Sequence, residues 1–234
     1  MGTLLRINMT DRSYALEELP EEYKLLAGRG LTSTIVHDEV DPLCHPLGPN
    51  NKLIFSTGIV TGTSAPTSAR ISVGAKSPLT GGIKEANAGS GFAPSLARMG
   101  IRALVVEGQP KEKNQYWLMH LTWDSDAGQP ALEFLPADKY LGKSLYKVFP
   151  KLFKRFGKVN IAGIGRVNQP VMLVDCQGYD EFSHPLSIIY RWIVYGQDLD
   201  DRYSYHNPRC SVPISAEILA IFSANCLLSA GSKL

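Results

Sequence analysis

Cysteine is scarce in this chain, and no two cysteines stand close together. The 234 residues include four, Cys44, Cys176, Cys210 and Cys226, none of them in a C-x-x-C pair. A zinc site or a complete four-iron cluster built by this chain alone is therefore unsupported. Net charge is equally sparse. The balance is +2, with cations and anions interspersed, which gives no electrostatic basis for nucleic-acid binding or polybasic membrane contact. The histidines, His37, His45, His120, His184 and His206, show no H-x-x-x-H or similar ligand spacing. No signal peptide is expected either. MGTLLRINMTDRSYALEE has no apolar run of signal-peptide length. We expect a reducing, cytoplasmic compartment with free thiols. One stretch, Val212 to Ala230, is apolar enough to suggest a membrane span, with Glu217 as its single charge. Glu217, Asn225 and several serines are costly in hydrocarbon. It reads instead as a buried C-terminal helix with Ser215 as N-cap.

What is present suits an ordinary globular protein. The hydrophobic fraction is 44% and the charged fraction 20%, and the length suffices for one large domain or two small ones. LLRINM alternates and reads as a strand, continued through a turn at Thr10 to Arg12 by DRSYALEEL. Pro20 opens a short helix, PEEYKLLAG. Leu31 to Glu39 fits helix or strand equally well. LIFSTGIV and ARISVGAK read as strands. Asn87 to Ser90 reads as a tight turn before the short helix GFAPSLARMG, whose N-terminus would offer free N–H groups to an anion. ALVVEG, YWLMHLTW, ALEFLPA and NIAGIG read as strands, and KSLYKVFPKLFKRFG as an amphipathic helix on both sides of Pro150. Strands and short helices follow one another without a regular βαβ rhythm, so the expected fold class is α+β with mixed sheets.

The stretch SAPTSARISVGAKSPLTGG, Ser64 to Gly82, carries Ser, Thr and Gly around two cations, Arg70 and Lys76. It fits a plain surface loop. It also fits a cradle for a phosphate-bearing ligand, because small residues permit close backbone approach and arginine offers a bidentate fork. Arg70 and Lys76 are six residues apart, so an unbroken strand puts both on one face. Asn87 and Gly89 fit an ordinary turn equally well.

Several segments bear on these readings by their order. LLRINMT, LLAGRGL, DPLCHPLGPNNKL, NKLIFSTGIVTGTSAPTSAR, AKSPLTGG and EANAGSGFAPSLARMGIRALVVEG follow one another along the chain. Together they resemble the N-terminal domain of the aldehyde ferredoxin oxidoreductases, the tungsten–pterin enzymes, over about residues 3 to 165. The resemblance implies an aldehyde oxidised to a carboxylate, with electrons passed to an iron–sulfur acceptor. It implies a tungstopterin or molybdopterin cofactor with magnesium, and a 4Fe-4S cluster in the full enzyme with no ligands in this chain. Arg70, Asn87 and Gly89 match the family's cofactor-binding positions, and Asn87 its magnesium-holding position. The implied partners are a remaining catalytic part or second subunit, ferredoxin, and a second copy in a homodimer. Three departures matter, one being Arg102, where the family usually carries an Asp. The family's N-x-G-G is Asn87-Ala88-Gly89-Ser90, and its P-A-G-E-N is replaced by RVNQP at Arg166 to Pro170. No G-R-G-G or G-S-K-N-L-K-A follows. We therefore expect a pterin-binding domain over residues 1–170 and an unmatched segment over 171–234, in a truncated enzyme or one subunit. A non-catalytic scaffold or binding subunit that keeps this fold is the alternative.

Overall fold

The computed structural model describes residues 2–78, 80–89, 91–111, 116–140, 143, 145–164, 174–177 and 218–223. Six strands form the first sheet: β1 (Thr3–Asn8), β2 (Ser13–Glu18), β3 (Leu53–Thr57), β4 (Arg70–Lys76), β5 (Ile83–Gly89) and β6 (Ile101–Glu107), in the order β2-β1-β6-β3-β4-β5. Five form the second: β7 (Trp117–Asp124), β8 (Gln129–Pro136), β9 (Val159–Ile164), β10 (Val174–Gln177) and β11 (Ile218–Ser223), in the order β10-β9-β11-β7-β8. The pairs β1–β6 and β7–β11 are parallel, while β3–β4 and β4–β5 are antiparallel. These are mixed sheets with few helices, an α+β fold as expected.

Three apolar clusters stack the layers. The largest joins the two sheets through Phe55, Ile71, Val73 and Leu104 of the first and Met119, Leu121 and Ala162 of the second, with Phe92 and Leu96 of α2 (Phe92–Arg98) among them. On the far side of the first sheet, α1 (Gly28–Glu39) seats Leu31, Ile35 and Val36 against Leu4, Ile54 and Val105. Each of these side chains contributes about 1.5–3 kcal/mol on burial. On the far side of the second sheet, α3 (Leu145–Phe156) seats Val148, Phe149 and Leu152 against Leu118 and Ile161. Strand β3 is buried at every position, because it has helix on one face and core on the other. That is why the strand opens on Leu-Ile-Phe without alternation.

Four local expectations are corrected. PEEYKLLAG forms only a 3₁₀ turn at Glu21–Tyr23 before α1 begins. The strand in LIFSTGIV stops at Thr57. Asn87 to Gly89 is not a turn but the end of β5, held by β4. The C-terminal helix expected from Ser215 is, over Ile218–Ser223, the strand β11, paired with β7 and β9. A short apolar run has no periodicity to separate buried strand from buried helix, and ILAIFS is such a run. No helix among the described residues is long and apolar enough to cross a membrane.

Candidate functional site

The β4–β5 ladder fixes the site. Its register sets Arg70 opposite Gly89, Ser72 opposite Asn87, Gly74 opposite Glu85 and Lys76 opposite Ile83. Strand alternation puts these residues on one face. Ile71, Val73, Ala75 and Ala88 point the other way, into the core between the sheets. Arg70, Asn87 and Gly89 therefore share a face, and Arg70 and Gly89 are direct cross-strand partners.

Helix α1 covers part of that face. A Cβ on Gly74 would lie 2.7 Å from Cβ of Thr32, so the close approach of helix to strand requires glycine there. A Cβ on Gly28, which has φ +53°, would lie 3.3 Å from the Ser72 hydroxyl oxygen. This places the first turn of α1 over the Ser72–Asn87 pair. Beyond it the face is open at Arg70 and Gly89: a Cβ on Gly89 would meet nothing within 4 Å. Arg70 is exposed, and among the described residues no hydrogen bond or ion pair engages its guanidinium. Asn87 is half-buried, and its Oδ1 accepts a hydrogen bond from Ser72 Oγ at 2.7 Å. A carbonyl oxygen has two lone pairs, so one remains for a ligand.

Three sequence expectations about this face are revised. Lys76 shares the face with Arg70 but is neither solvated nor a phosphate ligand. It is buried, and its Nζ donates to the carbonyls of Pro42 and Cys44, each at 2.6 Å. The hydroxyls of the β3–β4 loop mostly hold the loop itself. Thr61 Oγ1 accepts from Gly58 N–H at 3.1 Å and donates to the Ser68 carbonyl at 2.6 Å. Thr63 donates to the Val60 carbonyl at 2.7 Å and Ser68 to the Ala65 carbonyl at 2.9 Å. The start of α2 is crowded by the second sheet: a Cβ on the preceding Gly91 would lie 2.5 Å from Asn160 Oδ1.

Residues outside the sequence-based set also meet here. Arg29, in the first turn of α1, donates from Nε to Glu85 Oε2 at 2.8 Å. Ser72 positions Asn87. Neither pairing has a local signal, since each joins distant segments; alternation along ARISVGAK nonetheless marks Ser72 as sharing a face with Arg70. At the far end of the sheet, Arg6 and Lys52 form a closed charge network. Arg6 contacts Glu17, Glu39 and Glu107 at 3.0, 2.8 and 3.2 Å, and Lys52 contacts Glu39 and Glu107 at 2.6 and 2.8 Å. Burial pushes the Glu39 carboxyl up, but hydrogen bonds from Arg6 and Lys52 outweigh it and hold the group below its ordinary value. Among the described residues, no group of three or more His, Cys, Asp or Glu side chains is placed to hold a metal. Cys44 is a free, buried thiol; Cys210, Cys226 and the stretch Ile188 to Arg209 lie outside the described residues.

Residues 4–176 match the family model described as aldehyde ferredoxin oxidoreductase, N-terminal domain. The tungsten-containing aldehyde ferredoxin oxidoreductase of Thermococcus kodakarensis is 40% identical over 168 residues, and that of Pyrococcus furiosus 37% identical over the same length. Each match spans 70% of this chain and 26% of the relative, so the chain covers about a quarter of the curated relatives' length. Among solved structures, the BamBC active-site complex of benzoyl-coenzyme A reductase with 1,5-dienoyl-CoA aligns with a TM-score of 0.66 at 24% identity. That alignment covers 75% of this chain and 26% of the solved chain, and it supports the fold.

Proposed function

Because this chain belongs to the aldehyde ferredoxin oxidoreductase family, we propose that it holds the phosphate-bearing end of a tungsten or molybdenum pterin cofactor. The catalytic part would be supplied by sequence outside these 234 residues. One observation carries this reading: Arg70 and Gly89 are paired across β4–β5, with Asn87 on the same face, and the space over Gly89 is open.

The residues present fit such a group. Arg70 supplies a fixed positive charge with no competing carboxylate among the described residues. Gly89 leaves its backbone approachable, which a phosphate or a pterin edge needs. Asn87 offers a side-chain oxygen, the donor type that magnesium takes, and Ser72 fixes its orientation by the 2.7 Å hydrogen bond. The hydroxyl-clasped loop between β3 and β4 holds the start of β4, and hence Arg70, in place. When bound, the metal and pterin supply the two-electron oxidation of an aldehyde to a carboxylate, with electrons leaving through an iron–sulfur centre. This chain's own part is to bind and orient. Ferredoxin as acceptor, a homodimeric assembly and a cytoplasmic location belong to the same proposal.

The test is binding of a pterin phosphate monoester, together with tungsten, molybdenum and phosphorus analysis of the chain purified with any co-encoded partner. Arg70→Ala is expected to weaken binding by about 1.5–3 kcal/mol, the range for hydrogen bonds to charged groups. Unchanged affinity in Arg70→Ala overturns the assignment. RVNQP in place of P-A-G-E-N favours a second reading, a binding or scaffold subunit without catalysis. That reading holds if the folded chain takes up neither metal nor pterin in the presence of its partner.

A further inference from the structure

Arg102 carries a buried donor with nothing to bond. Its Nη1 is buried and has no hydrogen-bond partner among the described residues. Leaving a buried donor unpaired is costly, and more so for a charged group. The fold nonetheless makes room for this side chain. A Cβ on Gly2 would lie 2.7 Å from Arg102 Cβ and 3.1 Å from its Nε, so only glycine lets the arginine stem pass. The β1–β6 register moves from Thr3–Ile101 to Leu4–Ala103, which leaves Arg102 as the extra residue of a bulge. Bulges re-aim side chains, often beside binding sites. The Arg102 backbone is fixed as well: its carbonyl accepts from Ser56 Oγ at 3.3 Å and Thr57 Oγ1 at 3.4 Å.

Those hydroxyls place Arg102 relative to Arg70. Thr57 ends β3 and pairs across to Ile71, the residue after Arg70. With β6, β3 and β4 adjacent in the sheet, the backbones of the two arginines stand at the same sheet end, two strand spacings or roughly 10 Å apart. Neither has a carboxylate partner among the described residues. At the other end of the same sheet, Arg6 and Lys52 are matched by Glu17, Glu39 and Glu107.

We propose that Arg102 is a second anion-binding residue and that, with Arg70, it selects a ligand of the diphosphate class over a single phosphate. The proposal rests on the Arg70 reading above. The experiment is calorimetric titration of the full chain with inorganic pyrophosphate and with orthophosphate, alongside thermal unfolding with and without pyrophosphate. Arg102→Gln is expected to weaken pyrophosphate binding at least about tenfold, to leave orthophosphate binding unchanged, and to unfold no earlier than wild type without ligand. Arg70→Gln is expected to weaken both anions. Wild-type pyrophosphate affinity in Arg102→Gln, with loss in Arg70→Gln, overturns the Arg102 proposal and leaves Arg70 standing. Unchanged affinity in both variants, or no binding of either anion by wild type, overturns both. If Arg102→Gln does not fold, Arg102→Lys keeps the charge without the fork; pyrophosphate affinity equal to wild type in that variant then overturns the selection.

Discussion

A lysine ammonium inside a protein needs acceptors for its donors, and Lys76 takes them from the chain some thirty residues upstream. Its Nζ holds the Pro42 and Cys44 carbonyls, while Asn51 takes its backbone through Nδ2 to the Lys76 carbonyl at 3.0 Å and Oδ1 from the Lys76 N–H at 3.1 Å. Asn51 also reaches the Pro46 carbonyl at 2.7 Å. Lysine and asparagine together tie the proline-rich loop to the end of β4. Lys76→Met strands two carbonyls and is expected to lower stability by about 1.5–3 kcal/mol, read from the urea midpoint, with pyrophosphate affinity unchanged in the folded protein. A parallel loss of anion affinity would return Lys76 to the ligand site. The shared face of Arg70 and Lys76 was legible from six-residue spacing alone. Their different roles were not, because the acceptors that claim Lys76 come from a loop whose position only the tertiary fold sets.

Strand β5 shows what an element can do against its own composition. IKEANAG is rich in residues that strands disfavour, and with two glycines before it and the sequence Asn-Ala-Gly at its end, it reads as loop and turn. Seven register pairs with β4 and the burial of Ala88 hold it in the sheet. Strand β11 was missed for the opposite reason, since its apolar run suits any buried element. By contrast β3, β4 and β6 were readable, because β-branched runs bounded by Gly or Pro leave few alternatives. Helix α1 had ambiguous periodicity, and its seat on the sheet depends on one glycine. Gly74→Ala would put a Cβ 2.7 Å from Thr32 Cβ and 3.0 Å from its Oγ1. The expected cost is about 1–3 kcal/mol of overpacking, measured by thermal or urea unfolding. Thr32→Ala in the same chain removes only the Oγ1 contact, so it should restore part of the loss. Full restoration, or no loss at all, would show that α1 shifts freely over β4 and does not fix the Ser72–Asn87 pair.

Across the whole molecule, two groups, one on the second sheet and one on the helix that covers the first, make stability fall towards acid. His120 of β7 is stacked on Phe156 of α3 with ring centroids 4.2 Å apart, its Nδ1 is 3.9 Å from Glu133 Oε2, and its Nε2 is buried without a partner among the described residues. Burial lowers its pKa most; Glu133 opposes this and Arg155 adds to it. Its folded value is thus below the unfolded one. Above about pH 6.5 both states are neutral and nothing is lost, whereas below it the unfolded chain takes a proton that the fold resists. Glu39 of α1 also sits below its ordinary value, held there by Arg6 and Lys52 against its burial. Its contribution is complete above about pH 4.5 and disappears as pH falls through the lower folded value. The urea midpoint should therefore be nearly level between about pH 7 and pH 9, decline from about pH 6.5 through His120, and decline more steeply below about pH 4.5 through Glu39. His120→Gln should flatten the upper decline and leave the lower one. Glu39→Gln should lower stability at neutral pH by about 1.5–3 kcal/mol through loss of charged hydrogen bonds and flatten the lower decline alone. An upper decline that survives in His120→Gln would assign it to other groups and show that α3 packs on the second sheet without sensing this histidine's charge.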